Sequence, residues 1–133
     1  MKKSAILIFV VIVLSGSWIA YRMYNKPHRD PSTEAAIQIS SVELFQNFES
    51  DEAEANGRYL DKVLEVSGKV IEITTNQELI PIIVLETENP MFAVRCTMED
   101  PNVKANKGEV VRIKGICTGY LSDVILVKGI LVN

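Results

Sequence analysis

From Val63 onward the chain changes to a strand period of two, clearest in the first and fourth of five apolar-rich runs separated by turn residues. That period turns one face of a pleated strand toward a core and the other toward water. The first run, Val63 to Ile73, sets Leu64 and Val66 against Glu65, Ser67 and Lys69, then resumes with Ile71 and Ile73 apolar and Glu72 polar. The phase slips by one beside Gly68, the mark of a β-bulge or bend in a long strand. Leu79 to Leu85 is a nearly continuous apolar run holding Pro81, a residue that belongs at a strand edge, start or bulge. Met91 to Met98, Glu109 to Thr118 and Val124 to Val132 complete the five. In the fourth, Val111, Ile113, Gly115 and Cys117 share the inward face. In the fifth, Ile125, Val127 and Leu131 point inward if Lys128 points out. Val110, Ile116, Val124 and Leu126 are then left outward, as an apolar surface for a partner or a covering helix.

A helical entry precedes the strands. Ser40-Ser41-Val42-Glu43 has capping-box spacing, and Leu44, Phe48, Ala55 and Tyr59 follow near one face. Ser50 ahead of Asp51 and Glu52 is a second start signal, so the stretch reads either as one helix or, broken there, as two short ones. Five strands, the first long and bent, with a wider connection between third and fourth, describe a mainly β protein: a five-stranded OB-fold barrel preceded by one or two short helices. Closure pairs the edges that an open apolar sheet would expose, and the helical entry can plug one end.

The N-terminal segment is of another kind. Residues 5 to 21 carry no charge and would rise roughly 25 Å as a helix, just enough to span a bilayer. Trp18, Tyr21 and Tyr24 gather at one end, where amphipathic rings favour headgroups, with Arg22 and Lys26 beside them. Residues 1-24 therefore read as a single-pass transmembrane anchor. The rival is a cleaved signal peptide, with Lys2 and Lys3 before the apolar stretch and Ser15-Gly16-Ser17 at the cleavage positions. No cysteine follows to take a lipid, and neither reading leaves a freely cytosolic protein. Residues 25-39, with Pro27 and Pro31, read as an extended linker, and 40-133 as the OB-fold domain. Basic residues flank the apolar run on both sides, and the short basic leader favours a cytoplasmic N-terminus with a periplasmic barrel.

Charge is divided along the chain. Every charge before Asp30 is basic, namely Lys2, Lys3, Arg22, Lys26 and Arg29, leaving 9 bases against 17 acids afterwards. A field of that sign repels phosphate backbones and argues against nucleic acid as a partner, although Arg95, Arg112, Lys114 and Lys128 could cluster into a local basic groove. His28, the single histidine, lies in the linker, where it reads as a solvated imidazole rather than a sensor or ligand. It cannot easily serve a Ser-His-Asp or Cys-His site in the barrel. Asp51, Glu52 and Glu54 have no predicted pocket, and no phosphate-cradling glycine loop exists. No catalytic residue, metal site or cofactor follows, so the expectation is a non-catalytic binding or scaffolding module. Cys96 and Cys117, both inward, lack CxxC spacing; a cross-barrel disulfide and two buried thiols are the two readings.

OB-folds usually bind ligands on the second and third barrel strands, between the loops joining first to second and fourth to fifth. The candidates there are Thr75, Asn76 and Gln77 for adaptable hydrogen bonds, Tyr120 for stacking and Arg95 for charge, a set suited to a saccharide, peptide or single strand. Ordinary turn residues and a surface arginine are the competing reading.

Tyr59-Leu60-Asp61-Lys62, Val66-Ser67-Gly68-Lys69-Val70, Val94-Arg95-Cys96, Gly108-Glu109-Val110-Val111 and Lys114-Gly115-Ile116-Cys117-Thr118-Gly119 together resemble the tRNA anticodon-domain-like OB-fold family of small bacterial exported or membrane-tethered proteins, over roughly residues 40 to 132. Val-Ser-Gly and Gly-x-Cys-x-Gly are the more specific pieces. The leader ending Tyr-Asn-Lys-Pro-His-Arg-Asp is similar to members of Bacteroidetes type. The resemblance implies the fold, and by analogy with anticodon binding it suggests nucleic acid, a step that fold alone does not carry. The expectation is an envelope module contacting a protein or glycan; a single-strand nucleic-acid binder is the alternative.

Overall fold

The computed structural model describes residues 2–25 and 29–133, so the linker histidine, His28, lies outside the described residues. Helix α1 (Lys2–Tyr24) is followed by a short strand β1 (Ile37–Ser40), helices α2 (Ser41–Ser50) and α3 (Glu52–Tyr59), and strands β2 (Val63–Thr75), β3 (Pro81–Leu85), β4 (Val94–Met98), β5 (Val110–Leu121) and β6 (Asp123–Val132). The sheet runs β1-β2-β3-β4-β6-β5 and closes through β2–β5, so β2 to β6 form a five-stranded barrel. The pairing is antiparallel except for β4–β6 and the extra β1–β2 pair. The mainly β, five-stranded OB barrel expected from the alternation is the fold observed.

Barrel closure rests on β2, which pairs with β5 from Val63 to Lys69 and with β3 from Val70 to Thr75. A register shift between Val70 and Glu72 lets one strand serve both halves. The bulge therefore falls at Ile71, and Gly68, beside which it was expected, does something else. Any Cβ at Gly68 would meet the Ser41 side chain and lie 3.2 Å from Cβ of Leu85. The glycine admits the first turn of α2 against the barrel wall, where Ser41 Oγ donates to the Glu86 carbonyl at 2.6 Å. Pro81 opens β3, where its missing N–H costs nothing in the ladder.

From Val124 to Val127 the inward phase of β6 is the reverse of the expected one, while Leu131 is inward as expected. Val124 and Leu126 are wholly buried in the core, whereas Ile125 and Val127 are only partly covered. The phase changes at Lys128, whose φ of 53° lies in the left-handed region, and the register shifts against both neighbouring strands there. Gly129 and Leu131 then turn toward the interior. Ile116 is also buried, so of the four residues expected to form an outward apolar surface only Val110 is strongly exposed.

The helices plug the barrel as expected. Ser40 Oγ caps α2 by accepting from the Glu43 amide at 3.1 Å. The break occurs where predicted, but its cap is Asp51, which accepts from the Glu54 amide at 3.0 Å, and not Ser50. Leu44, Phe45, Phe48, Ala55 and Tyr59 enter one core with Leu64, Val66, Val94 and Leu126.

The segment read as linker is partly structured. Ile37–Ser40 adds to the free edge of β2 in parallel, Ile37 opposite Leu64 through Ser40 opposite Ser67. Pro31 is buried, and Lys114 Nζ and Lys128 Nζ donate to the carbonyls of Ser32 and Arg29 at 3.3 and 3.0 Å. Residues 29–36 thus form a strap across β5 and β6.

A candidate ligand groove on the barrel wall

The second and third barrel strands are β3 and β4, and a groove of about 350 Å³ lies against them. Its lining includes Ile71 and Glu72 from β2, Val84 from β3, residues 86, 87 and 89–93 of the β3–β4 connection, Arg95, and Asp123 at the β5–β6 hairpin. Local chemistry shapes the connection. Thr87 Oγ1 donates to the Phe92 carbonyl at 2.6 Å, and Asn89 Oδ1 accepts from the Met91 amide at 2.9 Å. Gln46 and Glu88, joined at 2.7 Å, hold the loop to α2. Phe92 stacks on Phe45 at a centroid distance of 6.4 Å, which anchors the wall in the helical plug. Ser122, at φ 68°, turns the chain so that Asp123 reaches β4.

Asp123 uses both oxygens there. Oδ1 accepts from the Ala93 amide at 2.8 Å, and Oδ2 accepts from Arg95 Nε at 2.6 Å. Arg95 is therefore in the groove, as the usual OB binding face suggests, but its charge is answered within the wall. Glu72 and Glu86 complete the charged lining, leaving the groove net acidic. Met91, fully open to solvent on one side at 79% exposure, provides an apolar rim.

The remaining sequence candidates lie elsewhere. Asn76 Oδ1 accepts the amides of Glu78 and Ile80, both at 2.9 Å, and its backbone closes the same turn with Ile80, so Asn76 builds the β2–β3 loop. Thr75 and Gln77 are exposed beside it, and none of the three lines the groove. Tyr120 does not line it either. Its ring stacks on Phe48 at 5.6 Å and meets Phe45 edge-on at 6.0 Å, sealing the plug rather than offering a free platform. Partial burial raises its hydroxyl pKa, and Glu49, Glu52 and Asp123 raise it further. Sequence reasoning missed Glu72, Glu86, Met91 and Asp123 as groove residues. The available signal was Glu72, an acid on the outward phase of a strand whose pairing partner, Val84, lies on the accepted binding face.

The suspected basic cluster is divided. Lys114 and Lys128 meet under the strap, Arg112 pairs with Glu65 at 3.2 Å, and Arg95 sits in the groove. A second cleft, about 500 Å³, contains Lys104 and Arg112 with Ser67, Glu109 and Asn133.

Cys96 and Cys117 are both buried, free thiols. Each is paired with Leu126, from β4 and β5 on either side of β6. In a closed five-stranded ring the strands on either side of β6 stand about 1.6 strand spacings apart, roughly 7.7 Å, more than the usual backbone separation of a disulfide. Burial pushes the Cys96 thiol up to about 12, helped by Cys117, and burial raises Cys117 as well.

The tRNA_anti-like family model matches residues 1–130. No curated protein matches the chain. Among solved structures, a crystal structure described as that of a "putative nucleic acid-binding lipoprotein" from Klebsiella pneumoniae subsp. pneumoniae is similar at 20% identity with a TM-score of 0.57, covering 80% of this chain and 99% of that one. At that identity the likeness is one of fold. With a match over nearly its whole length, the chain belongs to the tRNA_anti-like family.

Proposed function

We propose that this protein is a non-catalytic, membrane-tethered OB-fold module of the bacterial cell envelope, which binds a protein segment or glycan in the groove along β3 and β4. The acidic lining is the observation that carries this reading. Glu72, Glu86 and Asp123 face a single arginine that is already ion-paired. Such a lining favours neutral hydroxyls or basic peptide groups and repels phosphates. Family membership in an OB-fold binding group supports binding over catalysis. The tether is Lys2–Tyr24, which is long and apolar enough to cross a membrane and has no residue buried against protein. The reading takes this helix as a retained anchor and the barrel as periplasmic.

A second reading, single-strand nucleic-acid binding, is favoured by the description of the structurally similar Klebsiella protein as nucleic acid-binding. Its basic contacts would come from the Lys104 and Arg112 cleft rather than the acidic groove. The two part on one experiment: a photo-crosslinking residue at Met91 in the groove or, in a second variant, at exposed Val110 in the basic cleft, placed in the full chain in native membranes, followed by identification of what is attached. A protein or glycan adduct at Met91 that Glu86→Lys abolishes supports the groove. An oligonucleotide adduct at either position, or a Met91 adduct that Glu86→Lys leaves unchanged, removes it.

A further inference from the structure

The geometry points to a fixed orientation: the strap and the outer face of β5 and β6 rest against the lipid headgroups, and the groove faces away from the bilayer. This inference rests on the tethered reading above. Helix α1 ends at Tyr24, with Trp18 and Tyr21 in its last turns and the Arg22 guanidinium 5.1 Å from the Trp18 ring centroid. Its 23 residues rise about 34 Å, enough to cross a core of about 30 Å and bring those rings to the interface. From Asn25 to Arg29 are four chain steps, at most about 14 Å when fully extended. About half of that is used in clearing the headgroup layer.

Arg29 is held on the barrel. Its guanidinium makes a two-point pair with Glu34 at 2.7 and 2.8 Å and donates to the Asp61 carbonyl, while its own carbonyl accepts from Lys128. A folded domain of about 100 residues has a radius of gyration near 13 Å, so the leash is short beside the body it holds. The barrel cannot turn over on it. Around the ring of strands β3 pairs with β2 and β4 and lies across from β5 and β6, so the body of the groove, along β2, β3 and β4, lies away from the strap, and only Asp123 at the β5–β6 hairpin joins it from β6.

Charge favours the same pose. On the strap face Arg29, Lys114 and Lys128 balance Asp30, Glu34 and Asp61, whereas elsewhere from Asp30 onward fourteen acids meet seven bases. An anionic leaflet repels the acidic remainder and tolerates the balanced face.

The test uses the full chain in vesicles of phosphatidylethanolamine and phosphatidylglycerol that contain a nitroxide-headgroup lipid. An environment-sensitive fluorophore is placed by Ala35→Cys in the strap or Met91→Cys at the groove; the buried native thiols do not take it. Quenching at position 35 should exceed that at 91 by at least about threefold, the nitroxide acting only at short range. Equal quenching, or stronger quenching at 91, in protein that floats with the vesicles overturns the docked face while leaving the tether. Failure to float removes the tether and, with it, this inference. Inserting twelve glycine and serine residues after Asn25 should bring the two signals together, and an unchanged ratio would exclude the short leash as the cause.

Discussion

Single residues set the geometry of this barrel where side-chain size or backbone sign leaves no alternative. At Gly68 a methyl group would enter the Ser41 side chain and press on Leu85. Gly68→Ala should therefore destabilise the fold by about 1–3 kcal/mol, the usual cost of overpacking, read as a lower urea midpoint. Gly129 is crowded in the same way, 2.9 Å from Met98 Sδ and 3.2 Å from the Thr97 carbonyl in the position its Cβ would take. The thiols make a pH prediction. Cys96 keeps its proton in the fold to about pH 12, whereas in the unfolded chain it releases it near the ordinary thiol value of about 8.5. A raised folded pKa means the contribution is complete below about pH 8.5 and is lost as pH rises through the window up to 12, at up to about 1.4 kcal/mol per pH unit. Cys96→Ala should flatten that alkaline slope in urea titrations; an unchanged slope would assign it to other groups.

At the scale of elements, the two N-caps are equivalent in kind and should be similar in effect. Ser40→Ala and Asp51→Ala each remove an acceptor from a first-turn amide and should each cost about 1 kcal/mol in chemical unfolding. The strap is the acid-sensitive element. Hydrogen bonds from Ser32, chiefly, and then the nearby charges of Lys128 and Lys114 hold Asp30 below the ordinary carboxylate range, and the Arg29 pair does the same for Glu34. Depressed folded pKa values stabilise the strap above about pH 4 and lose that effect as pH falls through them. Hydrogen exchange over 29–36, corrected for intrinsic rate, should lose protection in acid while the β2–β5 ladder keeps it. Much of this level was readable beforehand: the five apolar-rich runs, the proline opening β3, and the capping box are local patterns. The phase of β6 was not readable, because Lys128 takes a left-handed backbone that ordinarily announces itself with glycine. The strap and β1 were hidden for a different reason. Their order comes from Lys114, Lys128 and β2, residues that lie tens of positions away in the chain.

For the whole molecule, the candidate site was partly visible in the letters. Arg95 reads as a charge on the third barrel strand, but its pairing with Asp123 depends on a hairpin that folds back over β4. The distribution of charge was easier to read than its pairing, since the acid excess after Asp30 is a matter of counting. The central proposal joins the two: the wall that OB-folds commonly use for ligands is acidic here, a lining that disfavours a phosphate backbone. Its most direct test is fluorescence anisotropy of a single-stranded oligonucleotide of about 16 nucleotides, titrated with the detergent-solubilised full chain at about 50 mM salt, where phosphate-driven binding is strongest. The account predicts no saturable binding up to about 100 µM. Micromolar affinity that falls steeply with added salt and disappears with Arg95→Ala would contradict it.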